Sequence, residues 1–167
     1  MDILPASTQD RVRAAAREAF AHRGYARASV HEIAAAAGVT TGALYHHFGS
    51  KCGILSDVRS AENARLQACM ASAAAHAAPG ARAVAAALLA AWDQVRADGL
   101  ERMYAEDLDE AVGDGLERSL QDLWPWAPES LASVLLATWR GALRHAVLHP
   151  GGDARLVLEG ILAGLAG

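Results

Sequence analysis

The sequence predicts an all-α protein, and three observations carry that reading. Alanine dominates a composition that is 53% apolar but only 5% aromatic. Apolar residues recur at spacings of three and four, and Gly and Pro fall at discrete breaks where helices should end. No segment alternates in the manner of a strand, and no internal repeat occurs. A chain of 167 residues can form one domain with a substantial core, or a small module joined to a larger one.

The elements follow from their caps. Ser7, with Asp10 three residues later, is an aspartate version of a capping box and opens a first helix whose Val12, Ala16, Ala19 and Phe20 lead to a stop at Gly24. Ser29 with Glu32 is the full box for a short second helix with Val30, Ile33, Ala34 and Ala37 on one face and Gly38 at its end. Thr40 or Thr41 then caps a third short helix carrying Leu44, Tyr45 and Phe48, broken at Gly49-Ser50. Two short helices about a tight glycine-containing turn make a helix-turn-helix. A long fourth helix is predicted from Lys51 to Ala78, with Ile54, Leu55, Val58, Ala61, Ala64, Leu66 and Cys69 as its buried stripe and Pro79-Gly80 as its end. Helices follow over 81–97, 100–112 and 115–123, then from Pro128 to His149 and from Asp153 to Leu165.

Composition excludes collagen, coiled coil and disordered chain. The longest charge-free stretch, Leu66 to Ala81, is alanine-rich and interrupted by His76 and Pro79, so no membrane helix is expected. Nothing marks the segment MDILPASTQD for export, so a cytoplasmic, nucleoid-associated location is expected. Cys52 and Cys69 form neither a disulfide framework nor a zinc motif. No nucleophile elbow, phosphate-binding glycine loop or HExxH motif is present, so neither a catalytic residue nor a cofactor is expected. No metal is expected at His46-His47, which diverge around their helix, or at His145 and His149, which lack a third ligand. The acidic run Glu106, Asp107, Asp109 and Glu110 reads as a solvated face. Charge is uneven: residues 1–51 hold six basic and four acidic residues, or +2, within a chain of net charge −4. A basic first third leaves room for a DNA-binding module.

The stretch 29–51, SVHEIAAAAGVTTGALYHHFGSK, carries the strongest signal. Its Ile33-Ala34, Ala37-Gly38-Val39, Thr41-Gly42, Leu44-Tyr45, His47-Phe48 and Ser50-Lys51, with Ala19-Phe20 and Gly24-Tyr25 before them, closely resemble the helix-turn-helix of the TetR/AcrR family of bacterial transcription regulators. The resemblance covers roughly the first third of the chain and implies a DNA-binding domain over 1–50 followed by a helical effector-binding and dimerisation domain over 51–167.

Within the motif, the small face of the second helix lets the third cross closely, and Gly38 supplies a left-handed turn. Leu44 and Phe48 face inward, leaving Thr40, Thr41, Gly42, Ala43, Tyr45, His46 and His47 for a major groove. Thr41, Gly42, Ala43 and His46 are the candidates for base edges. Tyr45, His47 and Lys51 resemble the family's phosphate contacts, and Ser29 caps a helix whose amides can point at a phosphate. The residue after Lys51 is often acidic in the family and here is Cys52, and the N-terminal arm is acidic, which argues against minor-groove contacts by the arm.

The C-terminal half is expected to dimerise. On the wheel of 128–149, Ser133, Ala137, Arg140 and Arg144 form a narrow stripe beside an apolar arc of about 220°, where one contact needs only about 100°. The surplus assigns Leu131, Leu135, Thr138, Ala142 and Ala146 to a partner, with Val157, Gly160, Ile161 and Gly164 of the last helix. The resemblance points to the same two helices as the dimer interface. A two-fold homodimer then reads a palindromic duplex operator. The resemblance also implies an effector pocket after the fourth helix, for which Met70, Trp92, Arg96, Met103, Tyr104, Trp124, Trp126 and Trp139 are the candidate contacts, taking a small apolar molecule. The expected activity is that of a repressor released from its operator by that molecule. The alternative is a regulator without such a site, controlled by a protein partner or by oxidation of Cys52 beside Lys51.

Overall fold

A computed structural model describes residues 7–106 and 115–166. Among them lie nine helices: α1 (Thr8–Arg27), α2 (Val30–Ala37), α3 (Thr41–Phe48), α4 (Lys51–Ala74), α5 (Ala81–Ala97), α6 (Glu101–Ala105), α7 (Leu116–Leu123), α8 (Glu129–Leu148) and α9 (Ala154–Ala166). None of the helices is long and apolar enough to cross a membrane among the described residues.

Most ends fall where the caps predict, with several instructive differences. The complete capping box is the one at Ser7 and Asp10, where each side chain meets the other's backbone N–H. At α2 the Ser29 hydroxyl accepts the Glu32 N–H, but the Glu32 carboxylate pairs with Arg23. Arg23 holds that carboxyl below the usual glutamate range by hydrogen bonding and charge. Gly24 does break α1, at φ 74° and ψ 168°, yet one further turn runs to Arg27. Helix α4 ends four residues earlier than predicted, where His76 and Ala77 close tighter turns onto Ala73 and Ala74. The helix predicted over 100–112 is seen as α6, and its remainder, with Asp107, Asp109 and Glu110, lies outside the described residues.

The core is one continuous cluster running from Val12, Phe20 and Leu44 through Ile54, Leu55 and Val58 of α4 to Trp92 and Trp139. Helix α4 therefore belongs to both predicted domains. Ile54, Leu55, Val58 and Leu66 of its expected stripe are buried, but Ala61 and Cys69 are half-buried and Ala64 is exposed, while Arg59, Glu62 and Asn63 are buried. Each of those polar groups is met across the core. Arg17 Nε donates to Glu62 at 2.9 Å, Tyr104 Oη donates to Asn63 Oδ1 at 2.7 Å, and Arg59 donates to the carbonyl oxygens of Met103 and Glu106. Burying such groups costs several kcal/mol, on the order of 2–7 for an amide or hydroxyl, unless partners are in place. These bonds therefore fix how α1, α4 and α6 sit against one another.

Candidate nucleic-acid interface

The turn between α2 and α3 is built as its residues require. Gly38 adopts φ 67° and ψ 37°, a conformation that a side chain resists, and its N–H and that of Val39 return to the carbonyls of Ala35 and Ala34. The Thr40 Oγ1 accepts the Ala43 N–H at 3.1 Å and starts α3, so its role is to cap. Leu44 is buried and Phe48 packs against the same core.

That anchoring turns a defined face outward. Gly42, Ala43, Tyr45, His46 and His47 are exposed, with Thr40 at the head of the helix and Thr41 at its edge, its hydroxyl 3.2 Å from His31 Nδ1. Ser29 is half-buried at the start of α2. Lys51 opens α4 immediately after α3. Its Nζ donates to the Ala26 carbonyl at 3.2 Å and lies 4.6 Å from the centre of the Tyr25 ring. An ammonium has three donors, so this bond holds the side chain while leaving donors for an anion. Tyr25 was visible only as part of the family pattern; its contact with Lys51 needs the fold.

The basic excess of the segment does not make a basic patch. Arg13 is bonded to Asp57 at 2.8 Å, Arg17 to Glu62, and Arg23 to Glu32, so these three arginines brace the domain. The acidic arm falls in residues 1–6, outside the described residues.

The predicted effector residues lie in different settings. Met70, Trp92, Met103, Tyr104 and Trp139 are all buried in the core. The Tyr104 and Trp139 rings meet edge-on at 6.0 Å, and the Trp139 Nε1–H donates to the Leu88 carbonyl at 3.0 Å. With their polar ends satisfied by protein, these side chains fill the centre of the domain. Arg96 is exposed beside Glu101, and Trp126 is 70% exposed. Trp124 lines a cavity of about 320 Å³ between α5, α7 and α8 that also involves Val84, Leu120, Leu131 and Leu135.

The residues expected at a dimer face differ in exposure between α8 and α9. Leu135 is 5% exposed and belongs to the core, whereas its neighbour Val134 is 57% exposed. Leu131, Thr138, Ala142 and Ala146 are half-buried. The exposed residues of α8 include Val134, Ala137, Gly141 and Leu148 together with Ser133, Arg144 and His145, and Arg144 donates to the Ala105 carbonyl. On α9, Val157, Gly160, Ile161 and Gly164 are exposed as expected, together with Leu156 and Leu165.

Residues 12–58 match the sequence profile of the family described as bacterial regulatory proteins, tetR family. The HTH-type transcriptional repressor KstR2 of Mycolicibacterium smegmatis is 43% identical over 54 residues, which are 32% of this chain and 26% of that protein. The chain is thus matched to about a quarter of that relative's length. The whole fold is similar to the fatty acid degradation regulator FadR of Bacillus halodurans, with TM-score 0.68, 20% identity and 95% and 97% of the two chains covered. It is similar to FadR of Bacillus subtilis, solved in complex with stearoyl-CoA, with TM-score 0.71, 18% identity and 93% and 96% coverage. A TetR-family transcriptional regulator from Pectobacterium atrosepticum gives TM-score 0.67 at 24% identity, over 95% and 90%. Residues 12–58 thus carry the DNA-binding segment of the tetR family, and the all-helical architecture of the chain is similar end to end to that of solved regulators of this kind.

Proposed function

We propose that the protein is a homodimeric repressor that binds a palindromic operator in the bacterial cytoplasm and leaves it when a small molecule occupies the C-terminal domain. The observation that carries the reading is the outward face of α3, with Tyr45, His46 and His47 exposed on a helix anchored by Leu44 and with Lys51 held beside it. A helix presented this way suits the major groove, with Lys51, Tyr45 and His47 on phosphates and Thr41, Gly42, Ala43 and His46 toward base edges. The bare Gly42 and Ala43 let the backbone approach closely, so few side-chain hydrogen bonds carry the sequence preference. Ser29 and the α2 N-terminus add a backbone contact.

Dimerisation is supported by the exposed apolar line on α8 and α9, from Val134 and Leu148 to Val157 and Ile161. So many large exposed apolar side chains on two neighbouring helices are uncommon on a monomer. A second copy covers it with two-fold symmetry and spaces two recognition helices for two half-sites. The repressor assignment is supported by the name of the KstR2 relative, whose likeness covers the DNA-binding segment.

Selection from random duplex DNA by the purified protein, with the mass of the complex determined alongside, tests the reading. A palindromic consensus bound by two or four chains is expected. Absence of any enriched sequence would sink it.

A further inference from the structure

The cavity between α5, α7 and α8 differs in chemistry from the aromatic core beside it. Its apolar walls are Trp124, Pro125, Leu131 and Leu135, and its charged lining residues are Asp122 and Glu129. No Lys, Arg or His is among the residues that line it. We propose that this cavity is the effector site and that it selects a small aromatic cation over an anion of the same shape.

The charge pattern carries the argument. Asp122 lies in the last turn of α7, whose unpaired carbonyls add partial negative charge at that end of the helix. The opposing N-terminus of α8 is already complemented by Glu129 in its first turn. The start of α5 is covered, since Gly80 is buried and a Cβ there would come within 3.4 Å of Trp126 and 3.6 Å of Trp124. Glu129 thus offsets the α8 terminus while Asp122 adds to the negative end of α7, which leaves the mouth negative with no cation in its lining, and an aromatic wall provides a face for a ring or a cation.

The site is also preformed. The Trp124-Pro125-Trp126-Ala127-Pro128 corner is closed by hydrogen bonds from Trp124 N–H to the Gln121 carbonyl and from Ala127 N–H to the Trp124 carbonyl, both 3.1 Å. The Trp124 Nε1–H edge packs beside Gly80, buried and without a hydrogen-bond partner among the described residues, so the indole is held from its far side. Leu131 and Leu135 belong to α8, the helix whose other side forms the proposed dimer surface. An occupant that shifts α8 would alter the spacing of the recognition helices.

Only the regulatory half of this inference rests on the repressor reading. Equilibrium dialysis of the intact protein against 2-(2-naphthyl)ethylamine, 2-(2-naphthyl)ethanol and 2-naphthylacetate tests the chemistry directly. The amine is expected to bind about tenfold tighter than the carboxylate at low salt, with the alcohol between them. Raising the salt should shrink that preference in the unaltered protein. In a D122N/E129Q variant it should fall to about twofold while the alcohol still binds. Equal or tighter binding of the carboxylate, no binding of any probe, or a preference unmoved by both salt and substitution overturns the inference. Operator affinity measured in the same samples separates the two readings. Amine binding that leaves operator affinity unchanged removes the regulatory half, whereas selective operator binding with no probe bound removes the pocket and leaves the repressor.

Discussion

The carboxylate of Glu106, at the end of α6, accepts the backbone N–H of Ala26 at 3.2 Å, and the carbonyl of the same Ala26 accepts from Lys51 Nζ. One peptide segment at the end of α1 is thus held from the C-terminal domain on one side and from the proposed phosphate contact on the other. Gly24 makes room for this arrangement, since a Cβ there would collide with the Glu106 carboxylate. The backbone of Glu106 is itself held by Arg59 of α4. Replacing Glu106 by Ala is expected to cost about 1 kcal/mol of stability for the lost charge-assisted bond, and to weaken operator binding severalfold while the dimer persists. Gly24→Ala should be worse, because it adds a clash and a strained φ to the same site. Thermal unfolding with DNA titration checks both, and unchanged operator affinity in Glu106→Ala would show that the link carries nothing to the DNA.

Lys51 and the face of α3 should separate by salt dependence. Lys51→Ala is expected to weaken binding to all duplexes and to flatten the salt dependence by about one unit of slope per lost phosphate contact. Tyr45→Phe should also weaken binding across sequences. Thr41→Ala and His46→Ala should in addition relax base preference at defined positions. Affinities of each variant for operator and scrambled duplex over a salt series provide the comparison. An unaltered affinity and slope in Lys51→Ala would mean that the domain docks differently.

Neighbouring substitutions on α8 should have opposite consequences. Val134→Arg places a charge on the exposed line and is expected to yield folded monomers that lose operator binding. Leu135→Arg places it in the core and should unfold the domain, at a cost of several kcal/mol, on the order of 3–5. Sedimentation with circular dichroism distinguishes the two. A Val134→Arg variant that remains dimeric would move the interface elsewhere.

The docking of α9 on α5 should weaken in acid. Arg155 holds Asp93 through two bonds of 2.8 and 2.9 Å, and this pairing keeps the Asp93 carboxyl below its ordinary value of 3.8. A carboxyl with a depressed pKa in the folded state stabilises fully above its unfolded value and loses that contribution as the pH falls through the folded one. The pair is largely exposed, so Asp93→Asn should cost at most about 1 kcal/mol at pH 7. Urea unfolding midpoints of the two proteins should differ at pH 7 and converge as the pH falls through the lowered carboxyl value of folded Asp93. A gap of constant size at all pH values would contradict the assignment.

What the sequence alone determined was local. The caps at Ser7, Ser29 and Thr40 and the left-handed turn at Gly38 act within a few residues, so the helix-turn-helix and the outward face of α3 were legible without the fold. Helix existence was equally legible, since apolar spacing and glycine breaks are properties of a short window. The tertiary structure alone decided what stands opposite each face. A helical wheel cannot say that Val134 points out while Leu135 points in, because both sit on one broad apolar arc until α5, α6 and α7 cover part of it. Nor can it show that Trp92, Tyr104 and Trp139 fill the core while Trp124 borders a space, since an aromatic side chain suits either setting. Arg59, Glu62 and Asn63 look like surface residues until Met103, Arg17 and Tyr104, each about 40 residues away in the chain, arrive to satisfy them.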